Sequence, residues 1–217
     1  MRLDNSFFLK TKTHTVLTWQ AKIVILIVGI GLFRLCWPAI RSGITNYICA
    51  GDELKSTSRI ILENWDGNID LFEGAKLIAD SLGEKEIVSI IYEDSYSDFR
   101  KRRAYILNAW AVGIDTSHFL LLPVPKRDPK TLNIARTVTD TAQRRQWLRL
   151  SIVTADLHSA RSRKAYQFTS QPYGISVQIA GVPIEGVTHA NWHRTSTGIA
   201  MAFSELIKKI YYDVFVF

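Results

Sequence analysis

Residues 150–163 read L-S-I-V-T-A-D-L-H-S-A-R-S-R. The run from Leu150 to Thr154 is short, β-branched and mostly apolar, which suits a buried strand better than a helix. Asp156 stands where a helix N-cap is expected, and the basic segment beyond Leu157 then reads as helix. A buried parallel strand that feeds a helix delivers its last residues to one edge of a sheet. Thr154, Asp156, His158, Arg161 and Arg163 are therefore expected at that edge.

The flanking sequence repeats this rhythm. Strands are expected over 59–63, 87–92, 119–124 and 175–180, rich in Ile, Val and Leu. Helices are expected near 71–82, 98–112, 134–148 and 197–211, with a further one after the 150–154 strand. Gly83 and Gly113 stand where helix C-termini favour glycine, and Asn68 or Asp70 can cap the first of these helices. Alternation of short strands with helices of twelve to fifteen residues predicts an α/β fold, a three-layer Rossmann-like sandwich with a mostly parallel sheet. The strand order does not follow from this pattern.

Residues 23–40, I-V-I-L-I-V-G-I-G-L-F-R-L-C-W-P-A-I, carry one charge, Arg34. As a helix they approach the hydrocarbon thickness of about 30 Å. Trp19 and Trp37 sit near the two ends, as membrane-interface aromatics do. The expected organisation is an N-terminal segment 1–43 with a single transmembrane helix at about 20–40, a connector 44–57, and an α/β domain 58–217. A signal peptide is disfavoured, because no small-x-small cleavage pattern closely follows the apolar stretch. Arg2, Lys10, Lys12 and Lys22 precede the span, against Arg34 and Arg41 within or after it. The positive-inside rule then places the N-terminus in the cytoplasm and the globular domain outside.

The 217 residues are enough for one sizeable core. Two cysteines, Cys36 and Cys49, make no disulfide framework and match no metal motif. The net charge of +7 favours an anionic ligand or membrane surface. No basic stripe with interleaved aromatics is present, so specific nucleic-acid binding is not expected. G-x-G-x-x-G after the first strand, the P-loop and G-x-S-x-G are all missing, which disfavours those dinucleotide, phosphate-loop and hydrolase assignments. His189 and His193 have i, i+4 spacing, but no carboxylate or cysteine completes a zinc pattern, so no metal site is expected.

Parallel strands collect their C-terminal residues on one edge, where ligands bind in such sheets. The first strand delivers Glu63, Asn64 and Trp65, and the second Glu93 and Asp94. Arg136 and Thr137 follow the third, and the last loop carries Trp192 and Arg194. Glu63 and His158 are the candidate acid–base pair, since imidazole can give and take a proton near neutrality. Arg136, Arg161 and Arg163 are candidate anion binders. The same residues also fit purely structural duties: Asp156 as a cap, His158 packed under a loop, the arginines solvated.

The stretch S-I-V-T-A-D-L-H-S-A-R-S-R at 151–163 resembles the strand, His and Arg-rich turn of the DUF218 (ElyC/SanA/YdcF-like) family. E-N-W at 63–65 is similar to its Glu-Gly-Trp strand end. R-T at 136–137 with W-L at 147–148, and N-W-H-R-T-S-T-G at 191–198, are similar to two further family segments. The resemblance runs from Ser58 to the C-terminus. Asn64 replaces a glycine, His193 a frequent second Trp, and Val138 a common aromatic. The membrane-associated branch also has a preceding apolar segment. The resemblance implies a Rossmann-like domain with a ligand cleft. It links the chain to envelope integrity and to wall-precursor or lipid-carrier metabolism, and, through soluble relatives, to S-adenosylmethionine.

Three functions are therefore expected to compete. The first is a membrane-tethered protein that binds or processes a phosphorylated or anionic small molecule or lipid-linked carrier, as a transferase or hydrolase. The second is an S-adenosylmethionine or nucleotide-type binding module. The third is a non-enzymatic envelope scaffold whose protein partners the sequence does not identify.

Overall fold

The computed structural model describes residues 18–56, 59–64, 66–84 and 86–217. The chain divides into two units, one ending at Ile40 and one running from Arg41 to Phe217. The described part of the first unit is helical and belongs to α1 (Trp19–Ile48), a 30-residue helix that contains Pro38. Between Val24 and Ile40 its Ile, Leu, Val and Phe side chains are exposed rather than packed into a core. The helix is long and apolar enough to cross a membrane. Its last residues extend into the second unit, so 44–48 are helix, not connector. Arg41 to Ile48 add two more turns because nothing between Pro38 and Cys49 breaks the helix.

Among the described residues the second unit holds five strands: β1 (Arg59–Leu62), β2 (Ile87–Tyr92), β3 (Phe119–Val124), β4 (Arg149–Ala155) and β5 (Ser176–Val182). They alternate with α2 (Ile69–Leu82), α3 (Glu93–Ser97), α4 (Phe99–Ala111), α5 (Lys130–Arg144), α6 (Ser159–Ser170) and α7 (Ser196–Phe215). All four pairings are parallel, in the order β3-β2-β1-β4-β5. The expected α/β architecture with a parallel sheet is what the chain forms.

Strand residues alternate between two cores, as a period of two requires. Ile60 and Leu62 join Leu71 and Phe72 of α2 and Tyr105 of α4. Ile61 joins Ile134 and Val138 of α5 and Ala165 and Tyr166 of α6. Helices thus cover both faces of the sheet. The connector after α1 shields the β5 edge: Asp52 N–H donates to Ile179 O, and Ile179 N–H donates to Asp52 Oδ2 at 2.8 Å. This covers an edge strand that would otherwise invite pairing with another chain.

The local signals act as chemistry predicts. Asn68 accepts from Asp70 N–H and starts α2. Gly83 ends it in the left-handed region at φ 66°. Helix α5 departs from expectation. It begins at Lys130, directly after Pro129, four residues before the expected start. Its buried stripe includes Thr131, Ile134, Ala135, Val138 and Ala142, so the core-facing period already begins beside the proline.

Candidate site at the strand-order reversal

The order 3-2-1-4-5 reverses direction between β1 and β4. In open α/β sheets the crevice outside the strand C-termini at such a reversal is the usual ligand site. Leu62 is in register with Val153, and Glu63 N–H extends the ladder by donating to Val153 O at 2.9 Å. That hydrogen bond fixes Glu63 at the mouth of the reversal, beside Thr154 and the turn that carries Asp156 and His158.

Four elements meet there. His158 Nδ1 lies 3.0 Å from Glu205 Oε2 of α7. Arg161, one turn into α6 and only 7% exposed, donates to the same oxygen from Nη2 at 2.8 Å and from Nε at 3.2 Å. Its Nη1 donates to Thr131 Oγ1 at the start of α5, and the guanidinium lies 5.2 Å from the centre of the Tyr212 ring. Lys208 donates to the other oxygen, Glu205 Oε1, at 2.9 Å. On the opposite side of the imidazole, His158 Nε2 is 3.8 Å from Glu63 Oε2. Ser162 Oγ donates to that oxygen at 2.5 Å. Glu63 is 1% exposed.

Glu205 faces Arg161 and Lys208, and Glu63 faces His158 and Ser162. Burial alone would raise the Glu205 carboxyl. The hydrogen bond from His158, the nearby charges of His158 and Arg161, and the Lys208 hydrogen bond outweigh it and hold the carboxyl far below its usual range. Burial and then the Glu63 charge push the Tyr166 phenol well up.

An ionised Glu205 and the Arg161 guanidinium both approach one imidazole nitrogen. His158 Nδ1 is 2.7 Å from Arg161 Nη2 and can accept from it, or can carry a proton and donate to Glu205. It cannot do both. With the proton on Nδ1, Nε2 faces Glu63 as a base. With the proton on Nε2, it faces Glu63 as a donor. The imidazole thus stands between two carboxylates, Glu205 on Nδ1 and Glu63 3.8 Å from Nε2, a setting that suits a proton-transferring group.

Two clefts flank this cluster. The first, about 410 Å³, has apolar walls from Leu71, Leu157, Ile184 and Met201, with His158, Glu205 and Lys208 at one side. The second, about 500 Å³, is lined by Tyr92, Lys130, Thr131, Arg161, Lys208 and Tyr212, among others. Lys208 borders both.

The structure distributes the remaining expected site residues differently. Arg136 is exposed and Thr137 bonds back to Asn133 O at 3.1 Å. The earlier start of α5 puts both about two turns below the edge, and Thr131 occupies the place expected for them. Arg163 is two positions from Arg161, so it leaves α6 on another side and donates to Asp52 Oδ1 at 2.5 Å. Asn64 is consumed by the β1–α2 loop. Its amide donates to Asn68 O at 2.8 Å and its carbonyl accepts from Asn68 N–H at 2.9 Å. Asp156 accepts from His189 N–H and Nδ1 at 2.7 and 2.8 Å, bracing the last loop rather than capping α6. Trp192 is buried, with Nε1 donating to Thr45 Oγ1 at 2.9 Å, and Arg194 is exposed. Thr154 is buried at the strand end, and its Oγ1 has no hydrogen-bond partner among the described residues. Trp65 lies outside the described residues. Among the described residues no three His, Cys, Asp or Glu side chains form a group that could hold a metal.

Glu205, Lys208, Thr131 and Tyr212 were not anticipated. One signal was present for Glu205: it is the only charge in the stretch 195–207, T-S-T-G-I-A-M-A-F-S-E-L-I. A lone carboxylate in such a helix needs a partner.

Compared with models of known protein families, the chain matches none, and no curated protein is detectably similar to it.

Proposed function

We propose that the domain binds and processes a small amphiphilic molecule bearing a phosphate or other anionic group, by transfer or hydrolysis. One observation carries this reading. His158 stands on the wall of an apolar cleft at the strand-order reversal, with Glu205 on Nδ1 and Glu63 3.8 Å from Nε2. His158 is the proton-transferring group. Glu205 and Arg161 set its orientation. Lys208 meets the anion, because it borders the cleft and is half exposed, whereas Arg161 is buried in its pair with Glu205. The apolar wall takes the hydrocarbon part of a lipid-linked carrier.

The same proposal retains the kinship with the DUF218-like proteins and a role in the cell envelope. Its support is the meeting of Glu63, His158 and Arg161, residues on which the resemblance rests. The apolar helix serves as a single-pass tether, with a cytoplasmic N-terminus by the count of basic residues. Reporter fusions at both termini test that orientation, and an external N-terminus refutes it.

Farnesyl phosphate, farnesol and inorganic phosphate serve as probes of the cleft. Added to the full chain in detergent, farnesyl phosphate is expected to shift the amide signals of Leu157, His158 and Lys208, and the two fragments to shift them less. If none of the three moves those signals, the reading fails. The strand order also favours a nucleotide-type ligand, with Asp66 on the cleft wall as a partner for ribose hydroxyls. Calorimetric titration with S-adenosylmethionine separates the two, since saturable heat without any lipid supports that second ligand.

A further inference from the structure

The second cleft, about 500 Å³, differs from the first in both its walls and its chemistry. Tyr92 at the end of β2 closes one side, Asp128 and Lys130 flank the start of α5, and Tyr211 and Tyr212 reach in from α7. Only Pro129 and Ile134 add purely aliphatic surface. The volume falls within the roughly 300–1,000 Å³ of small-molecule sites and is far more than a bare phosphate fills.

One wall is already fixed. The Tyr212 hydroxyl accepts from Thr131 N–H at 3.0 Å and from Leu132 N–H at 3.4 Å. It thereby occupies free N–H groups in the first turn of α5, so an anion in this cleft must be met by side chains. The Tyr212 ring lies 5.2 Å from the Arg161 guanidinium, and the Tyr92 ring lies 5.8 Å from Lys126 Nζ. Both tyrosines are buried, so neither offers a flat base an open face for stacking. Tyr211 does: it is 50% exposed.

The charges divide into spent and unspent. Arg161 and Lys208 are paired with Glu205. Among the described residues Asp128 and Lys130 enter no ion pair, and both are exposed. Lys130, Arg161 and Lys208 set against Asp128 and Glu205 leave an excess of one positive charge, which favours an anion. Asp128 is a carboxylate able to accept from ligand hydroxyls. Thr131 Oγ1 accepts from Arg161 Nη1 and keeps its own proton to donate. A single open phenol ring ringed by hydrogen-bonding groups suits a hydroxylated ring with one C–H face better than a purine.

We infer that the second cleft binds a phosphorylated monosaccharide. Lys130 and Lys208 meet the phosphate, the sugar ring lies on Tyr211, and Asp128 accepts from a sugar hydroxyl. This goes beyond the function proposed above and rests on the second cleft alone, whichever ligand the first cleft takes.

Calorimetric titration of the full chain in detergent with glucose 1-phosphate and glucose 6-phosphate tests it. Glucose, inorganic phosphate and AMP serve as comparisons. At least one hexose phosphate is expected to bind saturably, with each comparison compound about tenfold weaker or worse. Lys130→Ala and Asp128→Asn are each expected to weaken that binding about tenfold, the loss of one charge-assisted hydrogen bond. Both side chains are exposed, and an unchanged melting temperature confirms that the variants fold. The bound sugar phosphate is expected to shift the amide signals of Tyr92, Lys130 and Tyr211 and to leave those of Leu71 and Ile184, in the first cleft, in place. The inference is overturned if neither hexose phosphate binds, or if AMP or inorganic phosphate binds as tightly. It is also overturned if both variants bind like wild type, or if the shifts fall on Leu71 and Ile184 instead. Farnesyl phosphate, read at Leu157 and His158, reports on the first cleft separately, so either reading can fail without the other.

Discussion

Replacing Glu205 by glutamine tests the centre of the site. The carboxylate holds three charged or chargeable partners: His158 and Arg161 on Oε2, and Lys208 on Oε1. Lys208 is half exposed, so its pair contributes under about 1 kcal/mol. Arg161 is buried, and depriving a buried cation of its counterion costs roughly 3–5 kcal/mol. The glutamine carbonyl can still accept from Arg161 and recovers about 1 kcal/mol. The expected loss is about 3 kcal/mol at neutral pH. The folded Glu205 carboxyl lies below its unfolded value of 4.5, so the unfolded chain binds the extra proton and this stabilisation is present above that pH. It is lost as pH falls toward the depressed folded value. By about pH 3.5 roughly 1.4 kcal/mol of it has gone, and the gap between wild type and Glu205→Gln shrinks to about 1.5 kcal/mol. Urea unfolding of the full chain in detergent, followed by tryptophan fluorescence at both pH values, measures the gap. A gap below about 1 kcal/mol at neutrality, or one that does not change with pH, refutes a buried, ionised Glu205 as the counterion of Arg161.

Three further outcomes are expected. Gly74→Ala drives a Cβ into both Val182 methyl groups where α2 crosses β5. Overpacking of about 2–3 kcal/mol exceeds the roughly 1 kcal/mol gained in helix propensity, so thermal stability falls and the added Val182→Ala restores part of it. Asn64→Ala strips both Asn68 backbone groups of their partners and lowers the urea midpoint by about 1–2 kcal/mol equivalent. Burial, and then the Asp156 charge, raise the Cys49 thiol to about 12. Its alkylation by iodoacetamide at about pH 8 is therefore on the order of a thousandfold slower than that of a free cysteine, and Asp156→Asn speeds it.

Periodicity carried most of the architecture. Each strand stands close to where its Ile/Val/Leu run predicts, and the central β1, β2 and β4 are nearly all buried, a setting that tolerates little else. The α5 boundary moved because Pro129 reads equally well as a loop residue and as the step before a helix. That shift of four residues removed Arg136 and Thr137 from the site and put Thr131 in their place. Asn64 and Asp156 sit where the sequence suggests, but their side chains brace loops. Residue type and strand end do not reveal which partner a polar group finds.

The stretch 150–163 by itself determined a strand, a turn and a helix that place His158 and Arg161 at one edge of a parallel sheet. Periodicity and side-chain chemistry are local properties, so they are legible in one dimension. Only the tertiary structure decided that β4 lies beside β1, which sets His158 against Glu63. Only it brought in Glu205 from 47 residues away to claim both His158 and Arg161. Such a contact depends on where a distant helix crosses the sheet edge, and no local pattern encodes that crossing.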